Sequence, residues 1–109
     1  MTTFVNLTPH ALSIRMEDGS IQTIERSGVV ARCAQKTEVV TVIGGIKVTK
    51  VTLGEVQDLP APQEGTAYVV SRIIAEAVRD QGRTDIFIPG PALRDDQGRI
   101  IGADGLSVI

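Results

Sequence analysis

Two runs rich in β-branched residues, 38–43 and 46–53, meet at Gly44-Gly45. Consecutive glycines suit a two-residue turn in which both central positions need positive φ, so this stretch predicts a β-hairpin and a β-dominated chain. The rest of the chain agrees. Thirteen valines and twelve isoleucines stand among 109 residues, and side chains stiff at χ1 pack well on a pleated surface. Ile46 and Val48 keep one parity while Val51 and Leu53 take the other, which predicts a β-bulge between Thr49 and Lys50.

Turn residues divide the remainder. An opening strand over 4–7 is interrupted by Thr8-Pro9-His10, and a hairpin over 11–16 and 20–25 turns at Glu17-Asp18-Gly19. A short strand at 29–33 precedes the glycine-turned hairpin, and the proline-bearing segment 59–65 reads as a surface loop within one domain. Tyr68-Val69-Val70 predicts a buried strand leading into the one helix, residues 71–81, with Ser71 as N-cap and Gly82 ending it. Its apolar stripe is Ile73, Ile74, Ala77 and Val78. A strand at 85–88 and a last hairpin, 92–95 with 99–101, complete the chain. The expected fold is a single α+β domain over 1–109: β-rich, a mainly antiparallel twisted sheet of several hairpins, with one packed helix.

Composition removes several functions. Eleven basic residues against thirteen acidic ones, with three aromatics, disfavour binding to polymeric nucleic acid. One cysteine and one histidine exclude an internal disulfide and a His-rich metal site. No apolar run approaches the ~18 residues of a membrane helix, and the opening residues lack a signal-peptide pattern. A cytoplasmic protein with no membrane partner is expected. No G-x-G-x-x-G or Walker string appears, so no cofactor is expected.

His10 is the default general base by its intrinsic pKa, although it equally suits capping the proline turn. Cys33 reads as a small, inert apolar side chain. The arginines carry more. Eight of the eleven basic residues are Arg, and none of those after Pro62 is Lys; the guanidinium fork suits phosphate and stacks on bases. Arg72 opens the helix, while Arg94 and Arg99 flank the last hairpin, with Asp95 and Asp96 placed to accept from a base edge or a ribose hydroxyl. The other reading pairs these arginines with Asp80, Asp85, Asp95 and Asp96 on a solvated face.

At Val5-Asn6-Leu7-Thr8-Pro9-His10 the chain resembles a group of small phage- and prophage-borne proteins that open with this string. The likeness continues through Tyr68-Val69-Val70-Ser71 and from Ile88 to Arg99. Through that group it resembles the type 1 Thoeris anti-defence proteins. That resemblance implies a non-enzymatic sponge sequestering cyclic ADP-ribose isomers or cyclic oligonucleotides, in pockets between protomers of a homo-oligomer. Arginine would hold the pyrophosphate, and Tyr68, Phe87 or an arginine plane would face adenine. The expected ligand-binding residues are Arg72, Arg94, Arg99, Asp95, His10 and Tyr68. Two other readings stand beside it: a phage assembly or host-interaction protein without a small ligand, and a small enzyme using His10 as base.

Overall fold

Asn6 explains why the opening string ends in a turn. The computed structural model describes residues 2–109, and in it Asn6 is 1% exposed at the end of strand β1 (Thr3–Asn6). Its Nδ2 donates to the carbonyls of His10 (2.7 Å) and Ile24 (3.1 Å). Its Oδ1 accepts the Thr8 N–H at 2.9 Å and lies 2.6 Å from the Thr8 hydroxyl. That hydroxyl shares its one proton between Oδ1 and the His10 carbonyl, 2.9 Å away. A buried amide is tolerated only when its hydrogen-bonding capacity is met, and here both donors and the acceptor are engaged.

The amide thereby joins two sheets. Strands β1, β6 (Thr66–Val69), β7 (Ile86–Pro89) and β10 (Leu106–Ser107) form the first, in that order. The pairs β1–β6 and β6–β7 are parallel, and β10 closes antiparallel on β7. The second sheet runs β3 (Ile21–Ile24), β2 (Leu12–Arg15), β9 (Ile100–Asp104), β8 (Ala92–Arg94), with β2 parallel to β9. Gly102 permits that last approach, because a Cβ there would stand 2.6 Å from the Ser13 carbonyl oxygen. The fold is β-rich α+β as expected, with hairpins at β2–β3 and β8–β9. Three parallel pairings make the sheets mixed, and β10 was not foreseen.

The glycine-turned hairpin is longer than its sequence runs suggest. Strands β4 (Arg32–Ile43) and β5 (Ile46–Gln57) pair antiparallel across a turn with φ of 57° at Gly44 and 81° at Gly45. The separate strand expected at 29–33 merges into β4. The register shifts at two places: between Val39 and Thr41 the extra residue is Val40 on β4, across from Thr49, and between Cys33 and Gln35 it is on β5, where Gly54 and Glu55 oppose Ala34. β5 is regular from Val48 to Val51, where the bulge was expected, so its apolar residues change parity there because both faces of the distal hairpin are apolar.

Helix α1 (Arg72–Ala77) stops four residues earlier than its pattern predicts, followed by a 3-10 turn at Arg79–Gln81 that ends on a left-handed Gly82. The Ser71 backbone is extended as an N-cap requires, but its hydroxyl makes no capping bond. No acidic residue occupies the first turn and no basic residue the last, so neither end is reinforced. The buried side chains are Ile74, Ala75 and Val78, whereas Ile73 is exposed. Ile74 and Ala75 pack on Leu7, Ala31, Tyr68, Val70 and Ile88, with Cys33 and Val56 from the base of the hairpin bordering this core. Among the described residues no helix is long and apolar enough to cross a membrane.

Replacing Asn6 by Ala should cost about 3 kcal/mol, since it strands the buried Thr8 N–H and removes a donor from the His10 and Ile24 carbonyls. Asn6→Asp should cost at least as much, because a carboxylate would face carbonyl oxygens with no proton to donate. Urea unfolding checks both; a loss under about 1 kcal/mol for either would contradict the role given to this amide.

Candidate functional site

The residues singled out from sequence form no common site: Arg94, Asp95 and Arg99 meet in one turn, while Arg72, His10 and Tyr68 make separate local contacts. Asp95 Oδ1 accepts the backbone N–H groups of Gln97 and Arg99, both at 2.9 Å, and its Oδ2 accepts from Arg99 Nε at 3.2 Å. The Arg99 amide is the main reason the Asp95 carboxyl lies below its ordinary pKa. Arg94 Nη1 donates to the Gly98 carbonyl at 2.8 Å. These three side chains therefore close the β8–β9 turn on itself. Arg72 is exposed on α1 and pairs with Glu76 at 3.2 Å. His10 is exposed, and its carbonyl is what Asn6 and Thr8 use. Tyr68 is buried, its hydroxyl donating to the Ala61 carbonyl at 3.2 Å. None of these six residues lines any of the four surface clefts described for this chain.

The largest of those clefts, about 680 Å³, lies where strands β6 and β7 begin. One wall is the connector after β5, including Gln63 and Gly65; the other is the turn from Gln81 to Asp85, with Phe87 behind it. Local bonds fix both walls. The Gly65 carbonyl accepts from Thr3 N–H at 2.7 Å, Gln63 closes a turn onto Thr66 N–H at 3.1 Å, and the Tyr68 hydroxyl tethers Ala61. The Asp85 carbonyl accepts from Tyr68 N–H at 2.8 Å as part of the β6–β7 pairing.

Arg83 is the fixed charge of this region. Its Nε and Nη2 donate to the two oxygens of Asp85 at 2.9 and 2.7 Å, in the forked geometry that makes Arg–carboxylate pairs strong. The two side chains are 10% and 14% exposed, and the guanidinium carbon lies 5.7 Å from the centre of the Tyr68 ring. Among the described residues no buried side-chain nitrogen or oxygen lacks a partner. The Arg83 nitrogen not bonded to Asp85 is thus one that solvent reaches. Beside Arg83 lies a small hollow of about 90 Å³, bordered also by Arg79 and Thr84 and otherwise by the apolar Ala75, Val78, Ile86, Val108 and Ile109. Arg83 and Thr84 line both spaces. A larger polar cleft with one aromatic ring therefore adjoins a small, mostly apolar hollow with Arg79 and Arg83 in its lining.

Sequence reasoning nominated none of Arg83, Arg79 and Gln81, and gave Phe87 only as one alternative for the ring facing adenine. The signal present was Arg83-Thr84-Asp85 at the mouth of a strand, where alternation puts both charges on one side. Among the described residues no three or more His, Cys, Asp or Glu side chains gather as a metal site would need. Compared with known proteins, the chain matches no family, no curated protein and no solved structure.

The forked pair sets a pH dependence. Hydrogen bonding from Arg83 holds the Asp85 carboxyl below its ordinary value, so its contribution is complete above the unfolded pKa near about 4 and fades as pH falls through the lower folded value. Asp85→Asn should lose roughly 2 kcal/mol at neutral pH. Urea midpoints taken from pH 7 to pH 2 should show the gap between wild type and variant constant down to about pH 4 and narrowing below it. A gap that ignores pH would contradict the pairing.

Proposed function

We propose that the chain is a non-enzymatic binding protein for a small anionic, nucleotide-like ligand, which it holds intact. The observation that carries this reading is the sharing of Arg83 and Thr84 between the 680 Å³ cleft and the 90 Å³ hollow. The cleft falls in the size range of small-molecule sites. Its Gln63, Gln81 and Thr84 side chains suit the polar edge of a base or ribose, and the Phe87 ring offers an apolar surface beside them. Phosphate belongs on the other side, toward Arg79 and the unspent nitrogen of Arg83. Asp85 already neutralises part of Arg83, and Glu64 lies on the cleft wall, so the base and sugar, not the phosphates, go into the larger space.

The ligand class to try first is the one the resemblance implies, cyclic ADP-ribose isomers and cyclic oligonucleotides. Sequestering such a signal in a host cytoplasm, and so blunting host immunity, is the role this reading gives to a phage-type protein. The arginines first nominated, Arg72, Arg94 and Arg99, are replaced in it by Arg79 and Arg83. A second reading, an assembly or protein-interaction role, is favoured by the exposed apolar residues of the distal hairpin.

Native mass spectrometry of the purified protein with these nucleotides should show a mass shift, with the ligand recovered unaltered after denaturation. Arg79→Ala and Gln81→Ala should each weaken binding by at least about tenfold, or ~1.4 kcal/mol. Arg94→Ala and Arg99→Ala should leave it unchanged. Absence of a shift with every nucleotide, or recovery of a converted product, would overturn the proposal.

A further inference from the structure

The distal half of the β4–β5 hairpin is apolar on both faces and covered on neither. By register, Val39, Val42 and Val51 share one face, while Ile43 and Ile46 share the other, 65% and 70% exposed beside the glycine turn. These five and the bulged Val40 are each more than half exposed. Contiguous exposure of this kind marks an interaction surface. The arm also expands the molecule: its radius of gyration is 16.7 Å, against roughly 13 Å for a compact chain of this length.

The charge on the arm has one sign. The chain holds thirteen acidic residues, yet none lies between Glu38 and Glu55, and residues 39–46 carry no charge at all. The charges within 39–54 are Lys47 and Lys50. By register they lie on opposite faces, Lys47 across from Val42 and Lys50 across from Glu38. Glu38 is paired with Lys36 at 3.1 Å, and neither Lys47 nor Lys50 has an ion-pair partner among the described residues.

The geometry points to an anionic lipid surface as the occupant, with the hairpin tip seated in its headgroup layer. A groove in a folded partner covers one face of a two-stranded ribbon, whereas lipid closes around a protruding tip from every side. Distances along the strands agree. At about 3.4 Å per residue, Val42, Ile43 and Ile46 lie within roughly 7 Å of the turn, inside the roughly 5–10 Å to which interfacial elements sink toward the acyl chains. Lys47 sits at the same depth, where its stem lies along apolar surface and its ammonium reaches the phosphates. Val39, roughly 14 Å from the turn, meets the headgroup layer, itself roughly 5–7 Å thick. Lys50, roughly 17 Å from the turn, stays just outside that layer and within one Debye length of it. Among the described residues the outer edges of both strands are unpaired. Their amides need water or headgroup oxygens, which limits entry to the tip. Such a contact needs no spanning segment, whose lack was the ground for expecting no membrane partner. None of this rests on the ligand reading.

Cosedimentation of the full chain with vesicles tests it, using phosphatidylcholine alone and phosphatidylcholine with about one-third phosphatidylserine, at low ionic strength. The expected result is binding to the anionic vesicles only. Ile43→Ser should weaken it at least about tenfold, and Lys47→Gln about fivefold, the worth of one near-surface lysine. Ile100→Ser, at a similarly exposed residue of the body, should leave binding unchanged. The chain has no tryptophan, so Val42→Trp supplies a single probe whose emission should shift to the blue on anionic vesicles, while that of Val108→Trp should not. All these side chains are exposed, and circular dichroism checks that each variant keeps the fold. Wild type left in the supernatant, equal binding to phosphatidylcholine alone, binding that Ile43→Ser spares, or an unshifted Val42→Trp overturns the proposal. So does a vesicle-free oligomer that Ile43→Ser dissolves, which would give the tip to a second copy.

Discussion

The Asn6 amide is the constraint from which the rest of the arrangement follows. It sits in the core with both donors and its acceptor engaged, and its partners belong to different parts of the chain: the turn at Thr8 and His10, and Ile24 on β3. The Asn6 carbonyl adds Ser27, which donates to it from both its N–H (3.0 Å) and its hydroxyl (2.8 Å). One side chain thus ties the first sheet to the second and sets where the chain leaves β1. With β1 fixed, β6 and β7 line up parallel beside it, and the turns that precede them fall together at one end. The cleft is the space between those turns.

Much of the fold was legible because turn chemistry is local. The Gly44-Gly45 pair, the Glu17-Asp18-Gly19 turn and the Asp96-Gln97-Gly98 turn each close a hairpin where the sequence puts one. What was not legible depends on distant pairing. The parallel contacts of β1 with β6 and β2 with β9 join residues far apart in the chain, and no local pattern announces a partner. The shortened helix is a case of tertiary packing overriding periodicity: Ala75 is buried where the stripe called for Ile73, so the helix is rotated about its axis from its expected pose.

The site was harder to read for a related reason. Arg94, Asp95 and Arg99 stand close in sequence because a tight turn needs them, and a carboxylate accepting two backbone N–H groups is turn chemistry first. Arg83 looks like one surface arginine among several until the fold lays it over Tyr68 and against Asp85. Its separation from Arg79 and from the connector wall is bridged only in three dimensions. The hairpin shows the converse. Its apolar residues were visible from the start, but only the structure reveals that those of its distal half are exposed.

Two surfaces with different chemistry therefore divide the molecule: a polar cleft at one end of the first sheet with Arg83 in its wall, and the exposed apolar arm of the β4–β5 hairpin. The most direct test of the central claim is to follow backbone amide shifts by NMR while a cyclic ADP-ribose isomer is added to the full chain. Perturbations gathered at residues 63–66 and 79–87 are the predicted result. Perturbations centred on the 94–99 turn, or none at millimolar ligand, would contradict the account.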